Sequence, residues 1–174
     1  MKVIFLDNDG VMCLSSEWGS RNKKIQRWKL NNSDVEGFVN DKGIPAYIKM
    51  DNFNSKAVKI LNEILELTGS EIVVSSDWKL HCTLEQLQEM FKEYGVIKSP
   101  IDVTPNEVLK KLSDIEDNRV IEINKWLSEH TEVTHWVAVD DLDLSRLSNF
   151  VQTKKMREGI KQLGIKEKIL KFLL

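Results

Sequence analysis

Three short polar clusters hold the residues best suited to chemistry: Asp7-Asn8-Asp9-Gly10, Ser75-Ser76-Asp77 and Asp140-Asp141. Brought together, Asp7, Asp9, Asp140 and Asp141 would place four carboxylates in one small volume. Like charges at that density disfavour the ionised forms unless a cation sits among them. An all-oxygen donor set suits a hard divalent ion such as Mg2+. Taken singly, Asp7 and Asp9 also read as an Asx-type turn leaving a strand, and Ser75 and Ser76 as a helix cap. Their joint occurrence favours a site.

Each cluster ends an apolar run. Val3-Ile4-Phe5-Leu6, Ile72-Val73-Val74 and Trp136-Val137-Ala138-Val139 are short, rich in β-branched residues and without alternation. This pattern predicts strands buried on both faces of a parallel sheet. Helical patterns lie between them. Ser55 is placed to cap a helix carrying Val58, Ile60, Leu61, Ile64, Leu65 and Leu67, with Gly69 to end it. Thr83 opens a Thr-x-x-Gln capping box before Leu84, Leu87, Met90 and Phe91, with Gly95 as the stop. A third helix is expected near Val120 to Glu129, turning Ile123, Trp126 and Leu127 inward, and a last one over roughly Lys166 to Leu174. Strands alternating with helices imply βαβ units and a mostly parallel sheet. In such sheets the carboxyl ends of the strands share one edge, where ligands bind, so the three clusters should converge.

Residues 12–52 break this alternation. The stretch is polar, contains Gly19, Gly37, Gly43 and Pro45, and exceeds an ordinary connection of ~4–6 residues, which predicts a cap or lid. A second irregular stretch, 95–106, holds Pro100 and Pro105. With 174 residues and 41% apolar content, the expectation is one domain over 1–174 with 12–52 as its insert.

The formal charge of −2, from 25 basic and 27 acidic side chains, excludes a uniformly basic binder of nucleic acid or anionic membrane. Cys13 and Cys82 form no Cys-x-x-Cys pair and read as reduced thiols. The first apolar run stops at Asp7, too soon for a signal peptide, and no stretch is long enough to span a membrane. A cytoplasmic protein is expected. No Gly-x-x-x-x-Gly-Lys, Gly-x-Gly-x-x-Gly or Gly-x-Ser-x-Gly motif occurs, and His81, His130 and His135 are too scattered for a zinc pattern.

VIFLDNDGV, IVVSS and VAVDD resemble the first, second and fourth motifs of the haloacid dehalogenase (HAD) superfamily of phosphotransferases. The third motif, a loosely placed base, is best matched by Arg119, with Lys98, Lys110 and Lys111 as alternatives. The order SSDWK, RVIEINKWL, VDD and NFVQT resembles more closely the small HAD-like domains associated with RNA-repair proteins, although Lys79 stands where an Arg is common. This resemblance covers residues 1–11 and about 53–174.

The resemblance implies a Rossmann-like fold and a Mg2+-dependent phosphohydrolase working through an aspartyl-phosphate. Asp7 would be the nucleophile and Asp9 the general acid and base. Ser75, or Ser76 in its place, would donate a hydrogen bond to the phosphoryl group. Arg119 would supply positive charge, and Asn8 and Gly10 would border the phosphate. The metal would be held by the carboxylates of Asp7 and Asp140, the Asp9 main-chain carbonyl, and Asp141 directly or through water.

Residues 21–29 contain five basic and no acidic side chains. Arg21, Lys23, Lys24 and Arg27, with Trp28 and nearby Trp18, would form a substrate lid able to grip a phosphorylated nucleotide or strand end, or else a plain solvated face. The tail 151–174, with seven basic and two acidic groups, reads as an amphipathic helix packed by Ile165, Ile169, Leu170 and Leu173. The expected substrate is a nucleotide or nucleic-acid terminal phosphomonoester, so nucleotidase chemistry. A small-metabolite phosphatase and a non-catalytic binding module stay open as alternatives.

Overall fold

The apolar runs form the centre of a five-stranded sheet. In the computed structural model, which describes residues 1–31, 45–106 and 115–174, β1 (Lys2–Leu6), β2 (Glu71–Val74), β3 (Asp102–Val103), β4 (His135–Asp140) and β5 (Phe150–Gln152) lie in the order β3-β2-β1-β4-β5. Every neighbouring pair is parallel. Helices α1 (Ser20–Asn31), α2 (Ala46–Lys49), α3 (Ser55–Thr68), α4 (Leu84–Glu93), α5 (Ile115–Glu129) and α6 (Ile165–Leu173) complete a Rossmann-like α/β architecture. Register decides where the chemistry sits: Leu6 pairs with Val74 on one side and Val139 on the other. Asp7, Ser75 and Asp140 therefore leave their strands side by side.

Both faces of the sheet are covered, which explains the unbroken apolar runs. Ile4, Leu6, Ile72, Val74, Val137 and Val139 face a core shared with α3, α4 and α6. Val3, Phe5, Val73 and Ala138 face the other way, against Val120, Ile123 and Trp126 of α5. Phe5 meets Trp126 and Trp136 edge-on at centroid distances of 5.3 and 5.8 Å, the arrangement ring quadrupoles prefer.

Local signals decide most boundaries. The capping box at Thr83 forms as expected, and Gly69 ends α3 in the left-handed region at φ 68°. Asn54, not Ser55, caps α3, because its side-chain oxygen reaches the main-chain N–H groups of Lys56 and Ala57. Leu67 lies outside the buried stripe of α3 and is exposed. α5 is already helical at Ile115, five residues before the expected start, and sets Arg119 and Glu122 on its buried face beside Ile123 and Trp126. The irregular stretch 95–106 contains β3, and NFVQT contains β5. α6 buries Ile165, Ile169 and Leu173 as expected.

Within 12–52, Lys24 of α1 turns inward. Its ammonium donates to the main-chain carbonyls of Tyr47 and Met50 and to the Tyr94 hydroxyl at 2.7 Å, tying α1 to α2 and α4. Burial lowers its pKa to about 8, against the opposing pull of Asp51. A lysine whose folded-state pKa is depressed releases its proton first in the folded state, so this group adds stability as pH rises from about 8 towards the unfolded value of 10.5. Urea unfolding of Lys24→Met between pH 7 and 10 should lose that rise. A slope equal to wild type would show that Lys24 titrates normally.

Candidate active site

The site is built where β1 and β4 stop. The Asp7 N–H donates to the Val139 carbonyl at 3.0 Å and the Ser75 N–H to the Leu6 carbonyl at 2.9 Å, so the ladder holds both residues as they leave the sheet. The chain then folds back: the Asn8 carbonyl accepts from Met12 and Cys13 N–H at 2.9 and 2.8 Å. Gly10 takes φ 71°, and a Cβ there would lie 2.5 Å from the Asp141 carboxylate. Only glycine permits both the turn and that approach. Thr153, just past β5, donates its hydroxyl to the Gly10 carbonyl at 3.2 Å and its N–H to the Asp140 carbonyl at 2.8 Å, locking the two loops together.

Arg119 enters from α5 and is buried. Its Nη1 lies 3.0 Å from Asp7 Oδ1 and 2.8 Å from Asp140 Oδ2, and its Nη2 lies 2.8 Å from Asp77 Oδ1. One planar guanidinium thus touches three carboxylates, which a lysine ammonium does not reproduce. Carboxylate oxygens of Asp7, Asp140 and Asp141 lie within 4.8 Å of one another. Asp9 stands exposed at the rim, and its Oδ2 accepts from Trp78 Nε1 at 2.7 Å. A cavity of about 150 Å3 is lined by Asp7, Asp9, Ser76, Asp77, Ile115, Arg119, Asp141 and Leu142.

The electrostatics follow from this crowding. Burial, reinforced by Asp140 and opposed by Arg119, raises the Asp7 pKa well above the usual carboxylate value. Burial raises Asp140 too, against Arg119, and burial together with Asp140 pushes Asp141 to about 6. Partial desolvation of its carboxyl group at the rim also raises Asp9, while the Trp78 hydrogen bond pulls it back. The acids are held in charge excess over the one guanidinium, and their oxygen donors, with no nitrogen or sulfur among them, fit a hard cation.

The sequence-predicted residues divide. Asp7, Asp9, Ser76, Arg119 and Asp141 line the cavity, and Asp140 meets it through Arg119 and the acidic cluster. Ser75 and Asn8 are buried beneath, with side-chain polar atoms that find no partner among the described residues. Lys98 is placed elsewhere: its ammonium holds the carbonyls of Gly69 and Ser70 and the Glu71 carboxylate, at the amino end of β2 and the opposite edge of the sheet. Lys110 and Lys111 lie outside the described residues. Trp18, Lys23 and Arg27 are exposed, Trp28 is half-buried and Lys24 is engaged as above. None of these five lines the acidic cavity, and Arg21 lines a separate opening.

Asp77 and Trp78 receive no role from the sequence, although both stand in the SSDWK phrase. Their partners come from other elements, and no local spacing reveals them. Lys79 is drawn away from the cavity to Glu122 of α5 at 2.5 Å, Thr104 at 2.9 Å and the Pro105 carbonyl at 3.0 Å. It pins the turn Asp77–Leu80 to α5.

A parallel Rossmann-like sheet with an acidic, arginine-bridged site at its carboxyl edge defines the class as a HAD-like domain. Residues 3–162 match the family described as the HAD domain in Swiss Army Knife RNA repair proteins, and the chain belongs to that family. The match runs through 12–52, beyond the reach of the motif resemblance. Neither the curated proteins nor the solved structures contain a match. No helix among the described residues is long and apolar enough to cross a membrane.

Proposed function

We propose that this domain is a Mg2+-dependent phosphohydrolase acting through Asp7 on a nucleotide or nucleic-acid terminal phosphomonoester. The observation that carries the reading is the meeting of Asp7, Arg119, Asp140 and Asp141 at one small cavity with Asp9 at its rim. An Asp7 carboxylate oxygen attacks phosphorus in line, and the bond from phosphorus to the leaving oxygen breaks. Asp9 gives its proton to that oxygen, and then takes one from the water that attacks the aspartyl-phosphate. The second cleavage restores the Asp7 carboxylate and frees inorganic phosphate. Arg119 offsets charge on the phosphoryl oxygens, and Ser76, a residue of the cavity wall where Ser75 is not, takes the donor role beside it. Asp7, Asp140, Asp141 and the Asp9 carbonyl would hold the cation, which when bound neutralises phosphoryl charge. Family membership supports a HAD-type phosphohydrolase, and the RNA-repair association of that family supports the nucleic-acid end of the substrate range.

The test is steady-state hydrolysis of an activated aryl phosphate with Mg2+ and with chelator, followed by mononucleotides, sugar phosphates and 3′- or 5′-phosphorylated oligonucleotides. Activity lost on chelation and restored by Mg2+ is expected. Absence of turnover on the whole panel would overturn the reading.

Trp78 should orient the proton of Asp9. Its indole is buried and stacked on Phe53 at 5.7 Å, and its N–H donates to Asp9 Oδ2, which fixes the orientation of the carboxyl group. Trp78→Phe keeps a ring on Phe53 and removes the donor. General-acid help matters most for poor leaving groups, so kcat/KM should fall on the order of 10-fold more for alkyl than for activated aryl phosphates. Equal losses on both would mean a packing role only.

A further inference from the structure

Among the described residues that line the acidic cavity, Arg119 is the only cation, set beside Asp7, Asp9, Asp77 and Asp141. Its three carboxylate partners are not alike. Nη1 donates to Asp140 and contacts Asp7, whose side chains are 2% and 5% exposed, so burial holds both in place. Nη2 donates to Asp77 Oδ1 at 2.8 Å, and the Asp77 side chain is 62% exposed. A pair with one partner in water is weakly held, because solvent screens it and hydrates the carboxylate once it leaves. The Nη2 edge is thus the part of the guanidinium that an incoming anion can take over at low cost.

The main chain of Asp77 need not move for this exchange. Two residues on, Lys79 binds Glu122 of α5 at 2.5 Å, together with Thr104 and the Pro105 carbonyl. Glu122 stands three residues after Arg119, about one turn along the same buried face of α5. Two ion pairs therefore join the turn Asp77–Leu80 to one helix. The Lys79 pair is buried and fixes the turn, whereas the Asp77 pair ends at the cavity and in solvent. Rotation of the Asp77 side chain about its own bonds frees Nη2 and leaves the turn docked.

We propose that Asp77 is a displaceable counter-ion of Arg119, which competes with the phosphoryl group for Nη2 and returns to it as inorganic phosphate leaves. The inference rests on the phosphohydrolase reading and adds to it a residue that sets how tightly the site holds anions. Substrate and product both present phosphoryl oxygens to Arg119. A carboxylate that weakens the binding of both raises KM and hastens product release, so the cavity is not blocked by its own phosphate.

The test is isothermal titration of inorganic phosphate into the full chain with Mg2+ at constant ionic strength. Wild type is compared with Asp77→Asn, which keeps the shape and loses the charge, and with Asp77→Ala, which vacates Nη2; circular dichroism verifies folding. Phosphate should bind Asp77→Ala on the order of 5-fold more tightly than wild type, the scale of one exposed ion pair released. Asp77→Asn should fall between them. With an activated aryl phosphate, KM and the inhibition constant of phosphate should fall in the same order, with no gain in kcat. A residue that only orients Arg119 moves these quantities the other way. Weakened or unchanged phosphate binding in Asp77→Ala would therefore overturn the counter-ion role. Failure of the wild type to hydrolyse the aryl phosphate, with phosphate still bound more tightly by the variants, would instead overturn the phosphohydrolase reading and leave the counter-ion role standing.

Discussion

Asp7→Asn is expected to remove hydrolysis, with kcat/KM falling on the order of 10^4-fold or more, the scale seen when a covalent nucleophile is deleted. The amide matches the carboxylate in shape but is no nucleophile, so the loss falls on the chemical step. The fold should survive. Asp7 is buried beside Asp140, and burial, reinforced by Asp140, raises its pKa well above the usual carboxylate value. A carboxyl whose folded-state pKa is raised favours the folded state at low pH, and that advantage is lost as pH rises through the folded value. Removing the charge takes away this penalty near neutral pH. The metal-free variant should therefore unfold at a urea concentration no lower than wild type, while activity on an aryl phosphate vanishes. Equal turnover in the two proteins would sink the mechanism, and a collapse of stability would show that Asp7 is a structural ion first.

Arg119→Met should produce the largest loss of stability. The substitution leaves Asp7 and Asp140 buried without the guanidinium that touches both. Breaking a buried ion pair by removing one partner costs about 3–5 kcal/mol, because the remaining charge is stranded. Urea unfolding in chelator should show a loss of that size. It should shrink as pH falls and the stranded carboxylates take up protons, since their raised pKa values lie on that side. Mg2+ should recover part of it by binding the folded state alone. Arg119→Lys should fall between the two, because an ammonium keeps the charge but loses the fork. Full stability of Arg119→Met in chelator would mean that the carboxylates are neutral in the apo protein and that Arg119 serves the substrate only.

The strand ends were readable because they depend on local chemistry. A strand buried on both faces must be continuously apolar, so the first polar residue after Leu6 or Val74 marks where the chain leaves the sheet, and Asp140 after Val139 is the last residue of its strand. Caps were readable for the same reason, as at Thr83. The start of α5 was hidden because Arg119 and Glu122 occupy apolar-stripe positions, where a side chain is tolerated only when paired. β3 and β5, two and three residues long, are too short to show a period. The basic run 21–29 was legible as charge but not as direction. Lys24 points inward to Tyr47, Met50 and Tyr94, whereas Arg21 lines one opening with Lys49 and His81 from distant parts of the chain.

By itself, the sequence determined the parallel sheet, the residues at its carboxyl edge and the carboxylates Asp7, Asp9, Asp140 and Asp141. Each of these follows from burial and turn chemistry within a few residues. Tertiary structure alone decided that Arg119 bridges Asp7, Asp140 and Asp77, that Trp78 holds Asp9, and that Lys98 is far from them. Those are matters of direction between elements dozens of residues apart, set by helix rotation and sheet register, and no spacing along the chain encodes them.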